Sequence, residues 1–307
     1  MSASSAEKVV AGADSIELLI ERARVLVEAL PYIQRFDNKT VVIKYGGHAM
    51  VDDELKANAI RDIVLMESVG MRVVIVHGGG PEITRLMKKL RLKPKFLNGQ
   101  RVTDEETLSV TEMVLDGKIN GEIVNGINLA GGRAVGLSGK DAGLILARRY
   151  RPTGPDGQPL GDIGYVGEVE RINPEILDAL DKHEFIPVVS PLGVDADGQT
   201  LNINADTVAA DIAGALRAAR MILLTDVRGV YLNPEDPSTI LTALPVAECE
   251  KLIADGVITG GMIPKVRSCL RALAAGVEKT HILDGRIPHA LLLELFTDRG
   301  IGTQIIS

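Results

Sequence analysis

The chain has 307 residues, 46% of them hydrophobic and 24% charged, with 3% aromatics and no Trp. That composition excludes a disordered, collagenous or disulfide-stapled chain, and a core so poor in aromatics must be built from Val, Ile, Leu and Ala, the material of buried parallel strands covered by helices. With a net charge of −7 there is no global basic field for nucleic acid or an anionic membrane surface, so any anionic ligand must be met by a local cluster of cations.

Residues Met1 to Ala13 show no basic segment followed by an apolar one, and no apolar run approaches the ~18 residues of a membrane span, so a cytoplasmic location is expected. Asp14 to Phe36 sets Ile16, Leu19, Ile20, Ala23, Leu26, Val27, Leu30 and Ile33 on one helical stripe, which Pro31 should kink or end. A short Val/Ile strand follows at Lys39 to Lys44, a helix at Asp52 to Val69, and a second apolar strand at Val73 to Val76 that runs into His77-Gly78-Gly79-Gly80. This order is the signature of a βαβ unit in a parallel sheet. Further on come a helix over Thr103 to Leu129, a strand at Ala134 to Leu137 and a Gly/Pro-rich loop from Tyr150 to Gly161, expected as a hairpin tip. Strands at Phe185 to Ser190, Met221 to Thr225 and His281 to Leu283 alternate with helices at Asp206 to Ala219 and Lys265 to Gly276. Length suggests two domains, divided near Arg217 to Met221.

Three glycine clusters stand at strand ends or helix starts: Gly46-Gly47, Gly78-Gly79-Gly80 and Gly260-Gly261. Backbone N–H groups there can face phosphate or carboxylate oxygens, and strand C-termini are where α/β sheets bind ligands. Neither a G-x-G-x-x-G after a strand nor a P-loop is present, because Gly139-Lys140 is followed by Asp141 rather than Ser or Thr. No metal-ligand pattern stands out, and Cys249 and Cys269 read as ordinary reduced thiols. Lys44 ends a buried strand directly before Tyr45-Gly46-Gly47, whereas Lys265 sits at a helix start, against the dipole, and so asks for an anionic partner. Asn204 or Asp206 can cap the helix after Asn202-Ile203, and Arg101 is either a surface cation or a bidentate carboxylate clamp.

The segments "VVIKYGGHAM", "VIVHGGGPEI", "NGQRVTDEET", "LNINADTVAADIA", "LLTDVRGV" and "GGMIPKV", in that order from about Val41 onward, resemble the N-acetylglutamate kinase branch of the amino acid kinase family. The resemblance implies a three-layer α/β/α sandwich with a mainly parallel central sheet, preceded by the amphipathic helix. Its expected divisions are an oligomerisation helix at 1–36, an amino-acid-binding and dimerisation domain at 37–217, and an ATP-binding domain at 218–307. It implies transfer of the γ-phosphoryl group of ATP, with Mg²⁺, to the side-chain carboxylate of N-acetyl-L-glutamate. That acceptor is already ionised and needs no general base.

Carried over by motif, Lys44, Lys265 and Asp206 are the catalytic candidates. Gly79, Gly80, Arg101 and Asn202 would bind the amino acid, with Arg101 on the α-carboxylate and Asn202 on the acetamido end. Gly46, Gly47, Thr225, Asp226, Gly260 and Gly261 would bind the nucleotide. The helix and the C-terminal "HILDGR" and "LLLELFTDRGIGT" resemble arginine-inhibited hexameric members, trimers of dimers, with Tyr32, His281 and Glu294 as arginine contacts. Some relatives also bind a PII signalling protein. An aspartokinase-like or carbamate-kinase-like enzyme would share the glycines and lysines, but "NGQRVTD" and "LNINAD" favour N-acetylglutamate, and a non-enzymatic ligand sensor would not need both lysines.

Overall fold

A computed structural model describes residues 16–47, 52–97, 99–154 and 157–306. The chain opens with helix α1 (Ile16–Phe36), strand β1 (Thr40–Tyr45), helix α2 (Asp53–Ser68), strand β2 (Arg72–His77) and helix α3 (Gly80–Lys89). A small hairpin of β3 (Phe96–Leu97) and β4 (Gln100–Arg101) leads to α4 (Glu105–Glu112), a π-helical stretch (Met113–Ile119) and α5 (Asn120–Leu129). Next come β5 (Ala134–Ser138), β6 (Ile145–Arg149), β7 (Val166–Ile172), α6 (Glu175–Asp181), β8 (Ile186–Ser190), β9 (Leu192–Val194), β10 (Thr200–Ile203) and α7 (Ala205–Ala215). The last third holds β11 (Arg220–Thr225), β12 (Ala243–Pro245), α8 (Val246–Ala254), α9 (Met262–Ala274), β13 (Lys279–Asp284), α10 (Ala290–Leu295) and β14 (Thr303–Ile306).

Eight strands form one sheet in the order β12-β14-β13-β11-β1-β2-β8-β5, parallel except where β14 meets β13. Successive residues of a strand point to opposite faces, and the two cores divide accordingly. Val41, Ile43 and Ile75 pack on one face beneath α2 and α5, while Val42, Val74 and Leu223 pack on the other beneath α7 and α9. This is the expected three-layer sandwich. Side-chain caps start several of its helices: Asp52 accepts from Glu54 and Leu55 N–H, Asp104 from Thr107 N–H, and Asn204 from Asp206 and Thr207 N–H. The residue 217/218 division runs between β1 and β11, which pair directly, so the two halves share one continuous sheet.

Several elements differ from the expectation. Helix α1 does not end at Pro31 but continues to Phe36, with proline's missing N–H costing it one rung of the ladder. The 103–129 helix is interrupted by the wider π turns, which re-phase the faces presented before and after it. Strands β6, β7, β9 and β10 close into a small barrel beside the sheet, and the Tyr150–Gly161 loop joins the antiparallel pair β6 and β7, with Thr153 bridging Pro159.

Candidate active site

Strand β1 is buried along its length and delivers Lys44 to the carboxyl edge of the sheet. The side chain then folds back over Gly46, where a Cβ would lie only 2.7 Å from Lys44 Nζ. A side chain at position 46 would have to displace the end of Lys44 from this path. The helix cap Asn204 sets Asp206 in the first turn of α7, an end of the helix that favours negative charge. Lys44 Nζ lies 3.2 Å from Asp206 Oδ1, and Lys265 Nζ, from the first turn of α9, lies 2.9 Å from Oδ2. Burial by itself would push the Asp206 carboxyl up, but the Lys44 and Lys265 charges outweigh it and hold the group at about 2. The cap is therefore Asn204, which frees Asp206 to hold two cations, and Lys265 has found its anion.

Beside this triad lies a cleft of about 450 Å³ bordered by Gly79, Gly80, Arg101, Asn202 and Thr207. A Cβ built on Gly78, which lines the cleft, would lie 3.9 Å from Lys44 Cε, so the lysine stem approaches the cleft wall. Arg101 is buried, not a surface residue. Its Nη2 donates to Gly80 O at 3.0 Å and to Thr84 Oγ1 at 2.8 Å, and its guanidinium stacks 4.8 Å from the Phe96 ring centre. These contacts use part of a five-donor fork and lock its plane. Asn202 Nδ2 donates to Thr103 Oγ1 at 3.3 Å on the same wall.

Toward the other half of the sheet, Thr225 and Asp226 follow β11, and Gly260-Gly261 precede α9. The Thr225 hydroxyl closes a local turn, accepting from Val227 N–H and donating to Val227 O, both at 3.0 Å, so its side chain shapes the loop. Gly46 and Gly47 directly follow β1, which pairs in parallel with β11, so they stand at the same sheet edge as this loop. The arrangement brings two cations, a carboxylate paired with both and glycine-rich backbone to one place, which suits the meeting of two anionic reactants.

The amino acid kinase family profile matches residues 39–284. An acetylglutamate kinase of Carboxydothermus hydrogenoformans is 55% identical over 292 residues, covering 94% of this chain and 99% of the relative. The chain belongs to the acetylglutamate kinases of the amino acid kinase family. Among solved structures, N-acetylglutamate synthase from Neisseria gonorrhoeae complexed with coenzyme A and N-acetyl-glutamate superposes with a TM-score of 0.80 at 26% identity, over 93% of this chain and 63% of that one. The same synthase complexed with coenzyme A and L-arginine gives a TM-score of 0.76 at 26% identity, over 92% of this chain and 65% of that one.

The remaining candidates lie on β13, α10 and α1. His281 Nδ1 lies 2.7 Å from Glu294 Oε1, and Glu294 Oε2 accepts from Ile301 and Gly302 N–H at 2.6 and 3.2 Å. Glu294 is thus buried and not an exposed helix charge. Burial would push its carboxyl up, but the His281 contact and the two N–H donors hold it down, whereas burial holds the His281 imidazole down. Tyr32, near the end of α1, donates to Asp298 Oδ1 at 2.5 Å and stands 6.3 Å from the Phe296 ring, on the same segment that follows Glu294.

Sequence reasoning missed the polar layer under the glycines of this kinase. Glu112, Asp116 and Asn120 line one face of the π-helical region; Lys140 pairs with Glu112 at 2.7 Å and Asp116 at 3.4 Å, and Ser190 donates to Asp116. Lys140 is therefore tied to two carboxylates of this layer. The four-residue spacing of Glu112, Asp116 and Asn120 was the available signal. The π-helical turns also press Leu115 and Ile119 so close to Gly79 that a Cβ there would come within 2.5 and 2.7 Å of them.

Proposed function

We propose that the chain transfers the γ-phosphoryl group of ATP to the side-chain carboxylate of N-acetyl-L-glutamate, giving an acyl phosphate and ADP in arginine biosynthesis. The observation that carries this reading is the pair of lysines, Lys44 buried and Lys265 partly buried, held by one carboxylate beside a cleft with a buried arginine. One oxygen of the substrate carboxylate attacks the γ-phosphorus and the bond to the β,γ-bridging oxygen breaks, with ADP taking the electron pair. The acceptor is ionised, so no proton has to be removed. The barrier lies in bringing anions together and in the charge on the moving phosphoryl oxygens. Lys44 faces that charge from the amino-acid half and Lys265 from the nucleotide half, while Asp206 keeps the two ammonium groups from repelling each other. Gly46, Gly47, Gly79 and Gly80 offer N–H groups, Arg101 the α-carboxylate clamp and Asn202 an amide for the acetamido group. Thr225, Asp226, Gly260 and Gly261 form the nucleotide side. Among the described residues no cluster of His, Cys, Asp or Glu side chains suits a resident metal ion, so Mg²⁺ is assigned to the ATP phosphates and no step is routed through it.

The second part of the reading is feedback inhibition by arginine at Tyr32, His281 and Glu294. It is supported by the burial of the His281 and Glu294 side chains, by the Tyr32 contact to Asp298 on the segment that follows Glu294, by the His281 Nε2 atom, which is buried with no hydrogen-bond partner, and by the likeness to the arginine-complexed synthase. Helix α1 leaves Ile16, Leu19, Ile20, Leu26, Val27 and Leu30 exposed, an apolar face suited to a second copy of itself, in line with a hexamer built as a trimer of dimers. Trapping the acyl phosphate with hydroxylamine, using ATP and a panel of acidic amino acids, tests the reaction: N-acetyl-L-glutamate should react in preference to glutamate and aspartate, because a site built for an acetamide leaves polar groups unpaired against an ammonium.

A further inference from the structure

His77 ends β2 immediately before the glycine run that borders the cleft, and it is completely buried. A buried imidazole beside a phosphoryl-transfer site invites the reading of a general base, but the surroundings give it another role. Burial holds its pKa down at about 4, against weaker upward pulls from the Gly78 carbonyl and Asp116. It is neutral under working conditions, and the reaction has no proton for it to take.

Its two nitrogens are each committed. Nε2 lies 3.2 Å from Asn120 Nδ2, and Nδ1 lies 3.2 Å from Gly78 O. Asn120 is itself fixed, because Nδ2 also donates to Val188 O at 2.8 Å, which identifies that atom as the amide nitrogen. An amide nitrogen only donates, so Nε2 of His77 must accept. The proton therefore sits on Nδ1 and is donated to the Gly78 carbonyl. On its other side, Gly78 N–H donates to Tyr45 O at 2.9 Å, so both polar groups of Gly78 are tied down. A peptide unit is planar, with N–H opposite C=O, and holding Gly78 O consequently sets the direction of the next N–H, that of Gly79. Gly79 caps α3, so its N–H is among those the helix ladder does not use.

We propose that His77, kept in a single tautomer by Asn120, is a positioning residue that fixes the Gly78–Gly79 peptide and so aims the Gly79 N–H at the phosphoryl group in flight. This rests on the proposed function and gives the Gly79 N–H offered there to the transferring phosphoryl group in addition to the amino acid. The π-helical turns complete the support, since they bring Asn120 under His77 and press Leu115 and Ile119 against Gly79. Losing the tie leaves the substrate's anchor at Arg101 intact and misplaces one transition-state donor, so turnover should suffer and substrate affinity should not.

The geometry supplies a pair of discriminating variants, because an Asn amide nitrogen occupies the place of imidazole Nδ1 and a Gln amide nitrogen that of Nε2. His77→Ala and His77→Gln should lower kcat by roughly tenfold or more, on the scale of a misaligned donor, with KM for N-acetyl-L-glutamate within about twofold of the parent. His77→Asn should recover kcat to within about threefold. Equal recovery by Gln and Asn, or a loss carried by KM, would overturn the proposal. Should the Ala variant fail to fold, the Asn and Gln pair still decides, and the tautomer can be read in the parent enzyme by nitrogen NMR of histidine-labelled protein, with the His77→Asn sample identifying the resonance. Nδ1 protonated and Nε2 bare is the expected pattern; protonation at Nε2 overturns the assignment. If the parent enzyme makes no acyl phosphate from N-acetyl-L-glutamate, the proposed function fails, while the NMR pattern still reports on the His77–Asn120 geometry.

Discussion

Lys265 Nζ lies 2.9 Å from Asp206 Oδ2, a contact between helices whose residues are 59 apart in the chain. Lys44 takes the other oxygen of the same carboxylate, and both Lys44 and Asp206 are about nine-tenths buried. Removing the anion leaves two neighbouring cations without compensation, whereas removing either cation leaves a balanced pair. Asp206→Ala should therefore cost more stability than Lys265→Ala, about 3 kcal/mol against less than half of that, as well as abolishing measurable turnover. Urea unfolding of the two variants alongside the acyl phosphate assay checks this. Equal stability losses would mean that the carboxylate does not balance both lysines.

Arg101 reaches Gly80 O and Thr84 Oγ1 with one guanidinium nitrogen while its plane rests on Phe96. A lysine there keeps the charge but not the fork. Arg101→Lys is expected to raise KM for N-acetyl-L-glutamate roughly tenfold or more with kcat nearly unchanged, since the proposed contact is to the non-reacting end and would be made equally in ground and transition states. Steady-state kinetics with each substrate varied in turn gives the answer; a rise confined to the KM for ATP would put Arg101 in the nucleotide site.

The buried His77 makes stability depend on pH. Its folded value near 4 lies below the ordinary 6.5, so between those values the unfolded chain binds a proton that the folded chain refuses. The contribution is therefore complete above about pH 6.5 and declines as the pH falls toward about 4. Between about pH 7.5 and about pH 5 the loss should be about 2 kcal/mol. Urea midpoints of the parent and of His77→Asn, measured across that range, should converge in acid by this amount. Parallel curves would show that His77 titrates as it does in the unfolded chain.

Arginine should inhibit the parent enzyme, and the inhibition should depend on α1. Phe36 is buried beneath the Arg220 guanidinium, 5.2 Å from its ring centre, so a clean truncation keeps Phe36 and removes what precedes it. That truncated enzyme should retain its kinase activity, form smaller assemblies by light scattering and lose arginine sensitivity along with the Tyr32–Asp298 contact. Glu294→Gln should weaken inhibition while leaving the assembly intact. Undiminished sensitivity in the truncated enzyme would give α1 a purely architectural role.

The catalytic candidates were legible because chemistry and backbone coincide in short segments: Lys44 stands two residues before Gly46, and Lys265 four residues after Gly261. Asp206 was visible as a polar residue at a helix start, but only the folded chain separates it from the true cap, Asn204. His77 and Asn120 were not legible as a pair, being 43 residues apart and brought together by π-helical turns whose period no α-helical stripe reveals. The barrel was missed for a different reason: β9 and β10 have three and four residues, too few for an alternation to register. Glu294 sits on a helix of six residues, so whether its carboxylate faced solvent or His281 had no periodic answer.

Helix α1 packs through its C-terminal turns. From Ile16 to Glu28 every residue is exposed, whereas Tyr32 meets Asp298 and Phe296, and Phe36 is buried beneath Arg220. Mechanically the packed turns act as the base of a beam, with Pro31 placed where the exposed span meets that base. The span from Ile16 to Pro31 measures roughly 22 Å at about 1.5 Å per residue. A rotation of about 5° at the base therefore carries the tip about 2 Å, roughly a quarter of the spacing between packed helices. Tyr32, which ties the base to Asp298, stands at the fulcrum of that beam. A group no larger than an amino acid, bound at the fulcrum, has the geometric advantage needed to move whatever the far end holds.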